Sequence, residues 1–408
     1  MDILVVAYAC EPNRGSEPGV GWSWVNLLAK NSSYIITVIT RANNKNVIEK
    51  YFESHPTENI EFLYYDLPTI ILKYKNGDKN IKLFFTMWQL GVVKFIKKNI
   101  DFKKYDFIWD FNFGSLSLPN FIYKLNKSYI IGPISSKKSI PIGYLAEMKS
   151  KDKYKYLMQQ FMRENIWTNY FSWKTIKKAK KIITCNEFTR EFLPRGKKED
   201  SISVFHNGIV RDVLAERMMN YECNDNISFI YAGRLISSKN LEVAIKAFKI
   251  VKEFNNNFTF EIIGKGEDEK KLKKLVEKFN LERNIFFKDK ISQKELFEKY
   301  KKADFFIFPS LLEVSSTSVM EAMYYGLIPI CLRIDGMEQI LKNDIIEVVS
   351  CISPEQDSKE MAKRIINLMS NKEIVSTKKR ECHEIAKGNF MWDKKDNELK
   401  KILEFIKE

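Results

Sequence analysis

Two acids eight positions apart, Glu313 and Glu321, enclose four consecutive hydroxyl side chains, Ser315, Ser316, Thr317 and Ser318. The apolar run 304–308 precedes the first acid, a helical pattern covers 322–325, and a second apolar run, 328–331, follows Gly326. Strand, loop, short helix, strand is the order that sets such residues at the carboxyl edge of a parallel sheet, where open α/β folds bind ligands. Free amides at the helix start then face an anion such as a diphosphate. The two carboxylates can accept sugar hydroxyls on either side of it, which is chemistry suited to a sugar nucleotide. Taken alone, Ser318-x-x-Glu321 and Ser310-x-x-Glu313 also read as capping boxes. The flanking strands favour the ligand reading.

A second set of residues points to the same edge. Residues 228–232 read as a strand, Gly233 ends it, and Arg234 and Lys239 follow, five positions apart. Two cations there neutralise a diphosphate without a metal. No D-x-D motif occurs, so the usual carboxylate holder for a divalent metal on such phosphates is missing, and no metal or other cofactor is expected. In the first half, Gly15, Gly19 and Gly21 lie between the opening strand and a helix, in a loop where backbone can approach phosphate or sugar. Neither these glycines nor Gly264-Lys265-Gly266 fit the dinucleotide fingerprint G-x-G-x-x-G.

The elements that must hold these residues alternate through both halves. Strands read at 3–8, 34–40, 60–65, 107–111, 129–131, 181–185 and 202–205, then at 228–232, 258–263, 285–287 and the two runs named above. Helical patterns at 241–252, 268–279 and 294–302 separate the later ones. Two runs of β-α alternation predict an α/β chain of two doubly wound, Rossmann-like domains with a cleft between them. The first domain is expected over 1–207 and a linker over 208–226, opened by the Asn207-Gly208 turn. The second domain is expected over 227–372. A helical tail over 373–408, broken near Gly388-Asn389, is expected to pack back toward the first domain. A chain of 408 residues suits two domains of ordinary size.

Composition excludes several classes. Six cysteines without paired spacing suggest reduced, buried thiols in a cytoplasmic compartment. Three scattered histidines and no Cys-x-x-Cys argue against a zinc site. Asp2 and the short apolar run 3–9 do not make a signal peptide, and no stretch reaches the roughly 18 apolar residues of a membrane span.

The formal net charge of +15 calls for an anionic partner or reflects a lysine-rich composition. Residues 82–98 carry Phe84, Phe85, Trp88, Val92, Phe95 and Ile96 on one arc of about 120°, fringed by lysines. Residues 151–181 mix lysines with Tyr154, Tyr156, Phe161, Trp167, Tyr170, Phe171 and Trp173. Such basic-aromatic surfaces suit an anionic bilayer interface, although an apolar arc that packs on the core would give the first pattern equally well.

The motifs together resemble the carboxyl half of glycosyltransferase family 4. They are Gly233-Arg234-Leu235 with Lys239, Glu261-Ile262-Ile263-Gly264-Lys265-Gly266-Glu267, Pro309-Ser310 with Glu313-x₇-Glu321, and Gly326-Leu327-Ile328-Pro329. The likeness covers about 228–345. Ala9-Cys10-Glu11-Pro12 with Gly15-Ser16-Glu17-Pro18-Gly19-Val20-Gly21-Trp22 is similar to the start of one subgroup, and His206-Asn207-Gly208-Ile209 to its interdomain segment. The resemblance implies a GT-B fold and retaining transfer of a sugar from a nucleotide donor to an acceptor hydroxyl.

By position, Arg234 and Lys239 would bind the diphosphate, helped by backbone at Gly19 and at Ser315, Ser316 and Thr317. Glu321 would hold the ribose, Glu313 the donor sugar, and Gly264 and Ile291 would lie against the base. Three departures stand out: Val314-Ser315-Ser316 replaces Gly-Phe-Gly, and Ile134-Ser135-Ser136 replaces a glycine-rich turn. Trp109-Asp110-Phe111-Asn112 stands where relatives carry a histidine, which makes Asp110 the substitute catalytic candidate. The expected partners are a nucleotide sugar and a glycan or lipid-linked glycan acceptor, with no nucleic acid. Peripheral contact with the inner face of the plasma membrane is expected from the basic-aromatic stretches. The rival readings are a sugar-nucleotide epimerase of the same architecture and a basic nucleic-acid-binding protein, for which no binding motif is present.

Overall fold

The computed structural model describes residues 1–74, 80–111, 114–116, 118–136, 139–148, 150–164, 169–210, 221–223, 226–334, 337–341 and 344–408. Asn112, Trp167 and most of the expected linker lie outside the described residues. Contacts divide the chain into two compact units. One comprises 1–137, 155–206 and 395–408; the other comprises 138–154 and 207–394.

The first unit is built on seven parallel strands: β1 Asp2–Ala7, β2 Ile35–Arg41, β3 Ile60–Tyr65, β4 Phe107–Phe111, β5 Tyr129–Ile134, β6 Lys181–Thr184 and β7 Ser201–Ser203. Their order is β3-β2-β1-β4-β5-β6-β7. Near-continuous apolar runs form the central strands because a parallel sheet covered on both faces buries their side chains, and all five residues of β4 are buried. The order reverses between β1 and β4, where Ala7 pairs with Phe111. Leu4, Val6 and Ile108 share one apolar cluster with Phe84, Phe85, Trp88, Val92 and Ile96. Those five residues belong to the helix Ile81–Asn99. The arc expected to suit a bilayer therefore packs on the sheet. The stretch 151–181 forms two helices, Ser150–Glu164 and Tyr170–Lys178, of which Tyr156 is buried while Tyr154, Phe161, Tyr170 and Phe171 are exposed.

The second unit holds six parallel strands: β8 Ile227–Ala232, β9 Phe258–Ile263, β10 Ile285–Lys288, β11 Phe305–Phe308, β12 Ile328–Leu332 and β13 Glu347–Val349. Their order, β10-β9-β8-β11-β12-β13, reverses between β8 and β11. Phe229 of β8 stacks on Phe305 of β11 at 4.9 Å and meets Phe248 of the helix Leu241–Phe254 edge-on. Lys379, in the helix Lys372–Asn389, ties that helix to the sheet through an ion pair of 2.9 Å with buried Asp304. Asp304 also accepts from the Ser228 amide at 3.0 Å, so the buried charges are satisfied as burial requires.

The expected tail is two helices, Lys372–Asn389 and Asp396–Lys407, and contacts assign them to different units. Within the second unit, Tyr144 of residues 138–154 donates to Asp357 Oδ2 at 2.6 Å and accepts from Asn240 at 3.3 Å. Within the first, Lys395 donates to the Phe205 carbonyl at 2.7 Å. All six cysteines are free, and no described helix is long and apolar enough to cross a membrane.

Candidate active site

The carboxyl ends of β8 and β11 meet at the topological switch of the second sheet, the position where α/β folds gather ligand-binding loops. After β8 the backbone continues the ladder. Gly233 and Leu235 donate to the carbonyls of Ile263 and Lys265, each at 3.0 Å. That approach excludes side chains: a Cβ on Gly264 (φ +142°) would stand 1.9 Å from the Gly233 carbonyl, and one on Gly266 2.0 Å from that of Leu235. The paired loops leave Arg234 exposed, and its guanidinium enters no ion pair among the described residues. Ile291, half-buried, precedes the helix Gln293–Tyr300.

Lys239 closes the short turn Ser237–Lys239 ahead of Asn240, whose left-handed backbone starts the helix Leu241–Phe254. Its ammonium meets the Glu313 carboxylate, and it lies 5.1 Å from the Phe308 ring centre. Both partners are about 17% exposed, enough for a ligand to reach either. The loop after β11 is pinned to this turn, because Leu311 N donates to the Ser238 carbonyl at 2.9 Å. Ser310 Oγ adds a hydrogen bond to Glu313 at 3.3 Å. Lys239, expected on the diphosphate, and Glu313, expected on the donor sugar, are thus in direct contact, one after each switch-point strand.

The next helix, Thr317–Tyr324, begins earlier than the sequence pattern suggested. Its N-cap Ser316 makes no side-chain capping bond. Thr317 Oγ1 accepts from Asn207 at 2.7 Å, while Ser315 Oγ is buried without a partner among the described residues. The capping-box readings are corrected here. Glu321 lies in mid-helix and accepts from Gln293 Nε2 at 3.1 Å, and no helix starts at Ser310. The capping box of this region is Ser292 with Glu295. Desolvation of half-buried Glu321 pushes its carboxyl up to about 7, which the Gln293 hydrogen bond opposes.

In the first unit, Gly19 and Gly21 let the loop after β1 fold back on the helix Ser16–Ala29. A Cβ at these positions would stand 1.9 Å from the Arg14 carbonyl and 2.2 Å from that of Ala9. A cavity at the β1–β4 switch is lined by Glu17, Trp24, Phe111 and His206 among others. His206 turns its carbonyl to Trp24 Nε1 at 3.0 Å, its Nδ1 is buried without a partner among the described residues, and burial, reinforced by Lys395, holds the ring neutral with a pKa lowered to about 3. In the sequence, His206 reads only as part of a link. The signal available was the acid in the first turn of a glycine-flanked helix, Glu17.

Asp110 is the catalytic candidate expected in the first unit. It lies wholly buried in β4, and its carboxyl finds no hydrogen-bond partner among the described residues, nor does the amide of buried Gln89. Burial pushes it up to about 8, with Gln89 nearby opposing the rise. With no exposed surface it cannot touch a substrate in this conformation.

Residues 220–388 match the family model for glycosyl transferases group 1. An uncharacterized glycosyltransferase of Methanocaldococcus jannaschii is 26% identical over 249 residues, 58% of this chain and 62% of the relative. The matched stretch thus spans less than two thirds of that protein. The amylovoran biosynthesis glycosyltransferase AmsK of Erwinia amylovora is 28% identical over 148 residues, 35% of this chain and 36% of its own length. The sucrose-phosphate synthase of Thermosynechococcus elongatus superposes with a TM-score of 0.66 at 13% identity, covering 99% of this chain and 98% of that one. Anabaena HepE in complex with UDP-glucose gives 0.59 at 14% identity, covering 99% of each chain. The fold is therefore that of the GT-B glycosyltransferases, and the group 1 match falls on residues 220–388, in the second half of the chain.

Proposed function

We propose that the protein is a retaining, metal-independent glycosyltransferase that moves a sugar from a nucleoside diphosphate sugar to a hydroxyl of a lipid-linked or cell-surface glycan. The observation that carries this reading is the meeting of Lys239 with Glu313 at the β8–β11 switch, with Arg234 exposed on the neighbouring loop. Arg234, Lys239 and the first amides of the helix Thr317–Tyr324 stabilise the diphosphate as negative charge develops on it. Glu313 orients the donor sugar, Glu321 takes the ribose hydroxyls, and the surface near Gly264 and Ile291 lies against the base. The bond from the anomeric carbon to the diphosphate oxygen breaks, and the acceptor oxygen bonds to that carbon on the same face. The acceptor's proton passes to the departing phosphate oxygen.

The UDP-glucose complex of a structural neighbour supports a nucleotide sugar as donor, and a group 1 match favours transfer over epimerisation. Arg234→Ala and Lys239→Ala should each lower kcat by about 100-fold or more, the usual cost of removing a group that stabilises transition-state charge. Near-normal turnover in both would remove the phosphate clamp from the proposal.

A further inference from the structure

We infer that one face of the first unit is a docking surface for an anionic lipid bilayer. It is built by the helix Ile81–Asn99, the turn Ile122–Leu125 and the helix Tyr170–Lys178. The turn packs against both helices. Thr175 Oγ1 donates to the Asn120 carbonyl at 2.7 Å, and the rings of Phe121 and Phe171 meet at 5.3 Å. These three elements hold eight lysines and no aspartate or glutamate. Every one of those lysines except half-buried Lys174 is exposed.

A lysine-rich composition alone does not explain that segregation. Elsewhere helical lysines are paired along their own helix, as in Lys273 with Glu269 at 2.6 Å and Lys359 with Glu355 at 2.7 Å. Here nothing on the same elements offsets the charge.

The apolar side chains between the lysines decide the partner. Leu83, Leu90, Lys94 and Lys97 fall on one outward stripe at helical spacing. Leu83 is 58% exposed, Tyr170 55% and Phe171 45%. Lys177 sits 4.7 Å above the Trp173 ring and Lys174 5.2 Å from that of Tyr170. Cations beside amphipathic rings and isolated leucines match a headgroup layer over acyl chains. A nucleic acid would take the lysines and leave both leucines in water. A second copy of this face would repel it. The surface gives physical form to the membrane-borne acceptor of the proposed function, yet it stands on residues outside the donor site.

The test is flotation of the full chain with vesicles of phosphatidylcholine alone and of phosphatidylcholine mixed with phosphatidylglycerol, at low and physiological salt. The wild type should float with the anionic vesicles only. Lys94→Glu/Lys97→Glu should weaken partitioning by about 25-fold or more, from about fivefold per lysine near an anionic surface. Leu83→Ser/Leu90→Ser should lose the fraction that survives physiological salt, since screening removes the electrostatic part. Because these positions are exposed, both variants should keep the wild-type Tm and turnover on a soluble acceptor. A wild type that stays in solution at low salt, or variants that float as it does, would overturn the inference. Tighter binding of a DNA duplex than of anionic vesicles, unchanged in the leucine variant, would overturn it too. Vesicle binding without any sugar-nucleotide binding would leave the surface standing and remove the transferase reading.

Discussion

Among the described residues Glu321 has one hydrogen-bond partner, Gln293, and desolvation raises its carboxyl to about 7. If it accepts the ribose hydroxyls, it must be ionised to do so fully. Donor affinity should therefore climb as pH rises through about 7 and level off above it. Glu321→Gln should bind donor weakly at all pH and show no such climb, which calorimetry with the cognate nucleotide can measure. Asp110 titrates in the opposite sense for stability. Its folded pKa of about 8 lies above the unfolded value of 3.8, so the folded state binds the extra proton between them and stability falls as pH rises across that window. Asp110→Asn should remove this slope and raise Tm by several degrees at pH 8. It should leave turnover intact, because the side chain is out of reach of substrate. A large loss of kcat in a folded variant would return Asp110 to the catalytic set.

Among the elements, the ladder that extends β8 and β9 into their loops is the part least tolerant of change. Gly264→Ala adds a Cβ against the Gly233 carbonyl in a backbone region that favours glycine. It should destabilise the second unit by about 1–3 kcal/mol and weaken donor binding as Arg234 shifts. Equilibrium urea unfolding and nucleotide titration would read the two effects. Strands were the legible part of this chain, because β4 and β11 are unbroken aromatic-aliphatic runs that only a covered parallel sheet can bury. The short edge strand β13 leaves little trace in the sequence, since Glu347 interrupts its apolar character. The helix after Glu313 reads late in the sequence because serine and threonine have weak helical signals, and the hydrogen bond Thr317 accepts from distant Asn207 leaves no local pattern. The Lys239–Glu313 contact was legible as two motifs at one sheet edge. The burial of Asp110 was not, since a strand running to a sheet edge gives no sign of which face a helix will cover.

For the molecule as a whole, segregation of charge matters more than its sum. A net charge of +15 spread evenly would serve solubility alone, whereas three neighbouring elements of the first unit that hold lysines and no acid give it a direction. Connectivity adds a different consequence. Residues 138–154 and 395–408 each count with the unit that the rest of their half of the chain does not join. The helix Asp396–Lys407 packs on the helix Ser16–Ala29, with Lys30 bonded to Asp396 at 3.2 Å. Cutting the gene after codon 207 would thus orphan both partners: the upstream product forfeits its closing helix, and the downstream one forfeits the Tyr144 hydroxyl that caps Asp357. Separately synthesised halves should precipitate, while simultaneous synthesis should rescue a co-purifying pair, a split-protein complementation encoded by the order of segments. Two soluble, independently folded halves would refute it.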